Sequence, residues 1–175
     1  GGPDAFAEKL DRFFAEKLRA TKETFMHIPL LYHYAKRPDK SSSTLRNILA
    51  KAYSTARNGL PDNEDMGCHS AFYICGLMGL YPMMGQDWYF LTAPAFTRIE
   101  VSLGESSRKL IIEAPKASPA NLYIAAASLN GKALNKAWIQ HHEISDGARI
   151  TFELSTTPTT WGRDTQPPSP ITSGN

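Results

Sequence analysis

The spacing of apolar residues changes near Pro82, and this change constrains the fold more than any other feature of the chain. Before Pro82 the spacing is helical. In the first segment, for example, Phe6, Leu10 and Phe14 recur at four-residue intervals, which places them on one helix face. The pattern predicts helices over residues 4–19, 28–36, 42–56 and 66–80, the last of them apolar nearly all round and therefore interior.

After Pro82 the apolar residues come in short runs bounded by turn residues, which is typical of strands. Asn130-Gly131 separates two of these runs and is a strong signal for a tight hairpin turn. The predicted fold class is therefore α+β, with a helical segment over 1–82, a small antiparallel, sandwich-like β region over 83–162 and an exposed tail over 163–175. The predicted strands cover 88–92, 99–103, 110–113, 122–129, 133–139 and 149–154.

Composition excludes several functional classes. The formal net charge is +2, and the 19 basic residues are scattered, so we expect no nucleic-acid partner. No apolar run reaches the roughly 18 residues of a membrane span. The opening residues, GGPDAFAEKL, do not resemble a signal peptide, so the protein is either not secreted or a mature or excised piece.

The two cysteines lie in the helix predicted over 66–80. Cys68 and Cys75 are seven residues apart, which is about 10 Å along a helix and too far for a disulfide. We expect both to be small buried apolar residues. A metal site built on Cys68 and His69 is weakly supported, because no second ligand pair follows at zinc spacing.

An acidic cluster precedes the same helix, in the stretch GLPDNEDMGCHSAFYICGLMGLYP. Asp62 or Asn63 would make a good N-cap, and Glu64 and Asp65 would complement the helix dipole in its first turn. The alternative is a catalytic site at the helix N-terminus. The local sequence by itself favours capping.

Five ordered segments resemble the C-terminal part of the glycoside hydrolase family 92 α-mannosidases. HIPLLYHYAKRP and the acidic stretch are the most diagnostic, followed by TAPAFTRIEVSL, YIAAASLNGKALNKAWI and the pair Trp161-Gly162. The resemblance implies a calcium-dependent, inverting exo-α-mannosidase acting on mannose-containing glycans, and a secreted, periplasmic or cell-surface location. It also implies that residues 1–82 are the last helices of an (α/α)6 catalytic barrel whose remainder belongs to the same enzyme chain.

The resemblance also implies roles for individual residues. Asp65 occupies the position of the general base, and Asn63 lies where many relatives carry a second carboxylate, so that it could orient the water. Glu64 and His27 correspond to substrate-binding positions, and Glu23 to a glutamate of the calcium site. The family's general acid lies on an earlier barrel segment, so we expect it to be absent from this chain.

Other interpretations stay open for several of these residues. Glu23 could be a solvated loop charge, and His27 a packed structural histidine. The chain also departs from the family pattern, since Lys22 replaces an asparagine and Cys68 a glutamine; further departures are Thr24, Met26 and Phe72. A non-catalytic module that binds glycans or packs against a partner is the alternative function. A structural helical protein with an unrelated β appendage is a third, less supported one.

Overall fold

Helical structure occupies the first half of the chain. The computed structural model describes residues 1–16, 22–105 and 107–169. The helices are α1 (Pro3–Ala15), a 3₁₀ turn (Glu23–Phe25), a 3₁₀ helix (Ile28–His33), α2 (Pro38–Ala52) and α3 (Cys68–Met78). The end of the first predicted helix, residues 17–19, lies outside the described residues. None of the helices in the described part of the chain is both long enough and apolar enough to cross a bilayer.

Helix α2 begins four residues earlier than the sequence pattern predicts, and the helix predicted before it is a 3₁₀ helix. Pro38 is the first residue of α2, a position that suits its fixed φ and missing N–H. Ser41 and Ser42 lie inside α2. Ser41 Oγ donates to the Pro29 carbonyl at 2.9 Å, and Ser42 Oγ accepts the Ala93 N–H at 3.1 Å.

The second half of the chain forms two sheets. The strands are β1 (Leu80–Pro82), β2 (Trp88–Leu91), β3 (Arg98–Ser102), β4 (Lys109–Glu113), β5 (Tyr123–Leu129), β6 (Lys132–Ala133), β7 (Trp138–Gln140) and β8 (Ala148–Ser155). One sheet has the order β1-β2-β7 and the other the order β3-β4-β8-β5-β6. The region is not purely antiparallel as predicted, because β4 and β8 pair in parallel. The predicted strand over 133–139 is two short strands in different sheets.

The hairpin turn predicted at Asn130-Gly131 is present. Leu129 pairs with Lys132, and the two residues between them have φ of 51° and 78°. Positive φ at both central positions is what a two-residue hairpin turn requires, and asparagine and glycine tolerate it best. Asn130 also uses its side chain, because Oδ1 accepts the Arg149 N–H from β8 at 2.8 Å.

The two sheets share one core. Leu91 and Ile139 enter it from the first sheet, and Ile112, Ile150 and Phe152 from the second, all 0–1% exposed. Burying each of these side chains stabilises the fold by about 1.5–3 kcal/mol. Helix α3 leads directly into β1, which pairs with β2.

A second core lies between α2, α3 and the first sheet, and Phe72 is its central residue on α3. The expectation that α3 is wholly interior is wrong for this chain. Only His69, Phe72 and Gly76 are buried on it, and Ile74 is 56% exposed. Leu60 and Met66, just before the helix, are exposed as well. The helical half therefore presents apolar surface around α3.

The segment predicted as an exposed tail packs against the helical half as far as it is described. Gln166 Nε2 donates to the Tyr34 carbonyl at 2.8 Å, and the Tyr34 hydroxyl donates to the Pro168 carbonyl at 3.0 Å. Pro167 is buried. Residues 170–175 lie outside the described residues.

We expect His33 to make stability depend on pH. Its ring is buried, with one nitrogen 3.1 Å from the Leu30 carbonyl oxygen and the other 3.1 Å from that of Leu91. Burial lowers the pKa of His33 to about 4, below the value of about 6.5 in an unfolded chain. The unfolded state therefore binds the proton more tightly, and the stabilisation present above pH 6.5 falls by about 1.4 kcal/mol per pH unit down to pH 4.

Urea unfolding between pH 4 and 7 measures this dependence. His33→Gln should lower the stability at pH 7 and flatten the slope below pH 6.5. His27→Gln is the matched control, because His27 is exposed. An unchanged slope in the His33 variant would contradict the assignment.

Candidate catalytic loop and metal-ligand cluster

The acidic loop before α3 ends in a left-handed turn. Asp65, Met66 and Gly67 have φ of 35°, 59° and 83° in succession. For the two non-glycine residues this conformation costs on the order of 1 kcal/mol each, and it persists only where the surroundings impose it. The turn leaves the side chains of Asp65 and Met66 exposed. The loop therefore presents a carboxylate to solvent at the N-terminus of α3.

The capping interpretation is wrong for Asp62 and Asn63. Helix α3 has Gly67 at its N-cap, without a side-chain cap. The residue that supports the first turn is Glu64, whose Oε1 accepts the Ser70 N–H at 3.0 Å. Its Oε2 is buried and has no hydrogen bond in the described structure. Glu64 thus holds the loop against the helix.

Asp65 does not cap the helix either. Its backbone carbonyl accepts the Cys68 N–H at 3.3 Å, but its carboxylate makes no hydrogen bond within the described residues. Asn63, two positions earlier, is also exposed. Within this loop, Asp65 is therefore the carboxylate with both oxygens free to bind a water or a substrate.

Lys22, a departure from the family pattern, has a local partner in Asp62. The two form an ion pair across the loop, with the lysine side chain 59% exposed. The hydrogen bond raises the pKa of Lys22 and lowers the pKa of Asp62. The lysine is engaged with Asp62, so its charge does not have to be accommodated by Glu23.

His27 is exposed at the start of the 3₁₀ helix and has no side-chain hydrogen bond among the described residues. The interpretation as a packed structural histidine is therefore wrong for His27. That role belongs to His33, six residues later. His27 is free to contact a ligand.

The structure brings together three residues that the sequence pattern did not. Glu23, Cys68 and His69 each offer one ligand atom, and these atoms lie within 4.8 Å of one another. Glu23 Oε1 is 3.6 Å from His69 Nε2. The His69 ring is fully buried, its Nδ1 is 2.8 Å from the Tyr53 hydroxyl, and its Nε2 has no hydrogen bond. Sequence spacing missed the cluster because Glu23 lies 45 positions before Cys68.

Calcium does not fit this environment of Glu23. Calcium takes about 6–8 oxygen ligands, whereas the ligand atoms clustered with the Glu23 carboxylate are the Cys68 sulfur and the His69 nitrogen. Desolvation raises the pKa of the Cys68 thiol, and the negative charge of the Glu23 carboxylate raises it further. Within the described chain, the cluster therefore offers one sulfur, one nitrogen and one oxygen ligand.

Comparison with known proteins assigns the family. The model of the glycosyl hydrolase family 92 catalytic domain matches residues 1–156. The chain belongs to family 92. A relative from Arthroderma benhamiae, described as an uncharacterized secreted glycosidase, is 28% identical over 174 residues, which is 97% of this chain and 23% of that protein. The chain thus spans about a quarter of the length of the relatives it matches.

Solved family 92 structures share this fold. An α-mannosidase from Bacteroides thetaiotaomicron superimposes with a TM-score of 0.88 at 28% identity, covering 97% of this chain and 24% of that one. An inverting mannosidase from the same species superimposes with a TM-score of 0.72 at 29% identity, covering 78% and 19% respectively. The α+β architecture and the order of its elements are therefore those of a part of a family 92 protein.

Proposed function

We propose that this chain is the C-terminal part of an inverting exo-α-mannosidase that hydrolyses α-mannosides of glycans, with Asp65 as its general base. Family membership and the mannosidase relatives support the reaction class. The observation that carries the proposal is the Asp65 carboxylate, which is exposed, free of hydrogen bonds in the described chain and raised on a left-handed turn.

The exposed apolar surface of the helical half supports a larger helical assembly. A helix that is apolar nearly all round is typical of a buried position, and Ile74 lies on the exposed face of α3. We infer that other helices of an (α/α)6 barrel cover it in the intact enzyme. The same part of the enzyme would supply the general acid.

The proposed chemistry is a single displacement. The acid protonates the glycosidic oxygen as its bond to the anomeric carbon breaks, and a water attacks that carbon from the opposite face. Asp65 takes the proton released by this water. The Asn63 amide orients the water, and His27 contacts the sugar. Glu64 holds the loop through Ser70, and its predicted contact with the sugar stays a prediction.

The resemblance to the family implies calcium dependence with Glu23 as a ligand, and the proposal does not include it. The sulfur and nitrogen atoms beside Glu23 do not suit calcium, so the proposed reaction does not use this ion. The secreted relative supports an extracellular, periplasmic or cell-surface location. Mannose-containing glycans and the rest of the enzyme chain are the partners that follow.

Hydrolysis of aryl mannosides by the intact enzyme tests the reaction class. We expect release of the aryl group from the α-mannoside, and none above background from the matched β-mannoside or α-glucoside. Binding of mannose-containing glycans without any hydrolysis would overturn the proposal and favour a non-catalytic glycan-binding module.

A further inference from the structure

We propose that Glu23, Cys68 and His69 form a binding site for a divalent transition metal, with Zn²⁺ as the best match. Three side chains of three different ligand types converge there, with all ligand atoms within 4.8 Å. In a tetrahedral zinc site neighbouring oxygen and nitrogen ligands are roughly 3.4 Å apart. The observed 3.6 Å between Glu23 Oε1 and His69 Nε2 is close to that spacing.

The second observation is the unsatisfied nitrogen of His69. A fully buried imidazole normally hydrogen-bonds through both nitrogens, yet Nε2 has no hydrogen bond and faces the Glu23 carboxylate at 3.6 Å. A metal ion would use this lone pair. The remaining nitrogen, Nδ1, is 2.8 Å from the Tyr53 hydroxyl. In the tautomer with the proton on Nδ1, this nitrogen donates to the Tyr53 oxygen and Nε2 is free for the metal.

The donor set selects the metal. Thiolate and imidazole favour zinc and related ions, whereas calcium and magnesium prefer oxygen ligands only. The Cys68 thiol donates to the Glu64 carbonyl at 3.1 Å, and it would release this proton on binding the metal. Three protein ligands leave a fourth position open, as in zinc sites that bind a water or a substrate.

The site does not depend on Asp65 or on mannosidase activity. Its presence and the proposed function therefore stand or fall separately.

Titration of the metal-free protein with Co²⁺ tests the proposal, because cobalt substitutes for zinc and reports its ligands by absorption. We expect a thiolate-to-cobalt charge-transfer band that saturates at one equivalent, is displaced by one equivalent of Zn²⁺ and is unaffected by a large excess of Ca²⁺. A missing band, or displacement by Ca²⁺ as readily as by Zn²⁺, would overturn the proposal.

Cys68→Ser should abolish the band and lower the affinity for Zn²⁺ by at least about 100-fold, whereas Cys75→Ser is the matched control and should leave both unchanged. Tyr53→Phe should lower the affinity about 10- to 100-fold, which is typical for loss of a partner that orients a ligating histidine. A band that persists in Cys68→Ser, or disappears in Cys75→Ser, would assign the metal to other residues and refute this site.

Discussion

Asp65→Asn should lower the turnover number of the intact enzyme by a factor on the order of 10²–10⁴, the usual contribution of a positioned general base. Asparagine keeps the shape of the side chain and can still hold the water, but it cannot take its proton. The effect should therefore appear in kcat, with a much smaller change in KM. Steady-state kinetics on an aryl α-mannoside measures both.

The same variant should fold as well as the wild type. Asp65 has φ of 35°, and asparagine is among the residues that tolerate this region best. Asp62→Asn is the matched control, because it makes the same change in the same loop at a carboxylate that is paired with Lys22. Its turnover should stay within a few-fold of the wild type. Equal losses in the two variants would show that the loop's charge, rather than a base at Asp65, supports the reaction.

Phe72→Ala should destabilise the protein by about 3–5 kcal/mol, as large-to-small substitutions of buried aromatic residues do. Phe72 is 1% exposed and packs among the rings of Tyr53 and Tyr81. It lies on α3 one turn after His69, so its packing fixes the helix that carries both the acidic loop and the metal-ligand cluster. Chemical denaturation followed by tryptophan fluorescence measures the loss.

Ile74→Ala is the control for this substitution. Ile74 is on the same helix and apolar, but 56% exposed. In the 175-residue chain its truncation should cost less than about 1 kcal/mol. In the intact enzyme the cost should rise if barrel helices cover it. Similar losses for the two variants in the 175-residue chain would contradict the packing described for α3.

Local chemistry explains the parts of the fold that the sequence predicted. The Asn130-Gly131 turn is specified by two residues that tolerate positive φ, whatever the rest of the chain does. A sequence signal that fits two local structures led to a wrong prediction where a tertiary contact determines which structure forms. Pro38 suits both the end and the start of a helix. In the structure α2 begins at Pro38. The Ser41 and Ser42 hydroxyls then form hydrogen bonds with backbone groups of other segments.

The sequence likewise predicted one part of the candidate site and missed another. The family segments located the loop and Asp65, but they did not show that Glu64, rather than Asp62 or Asn63, supports the helix N-terminus. The sequence also could not show that Glu23 reaches His69, because this contact depends on how the Glu23–Phe25 turn packs beside α3. The unsatisfied His69 nitrogen is visible only once the side chain is known to be buried.

Product analysis of Asp65→Gly with added azide tests the central claim most directly. Removing the carboxylate leaves space for a small anion that needs no base, and glycine relieves the positive φ. If Asp65 is the base of an inverting mannosidase, azide should restore activity, and proton NMR should identify the product as β-mannosyl azide. Formation of α-mannosyl azide, or mannose release at the wild-type rate without azide, would contradict the account.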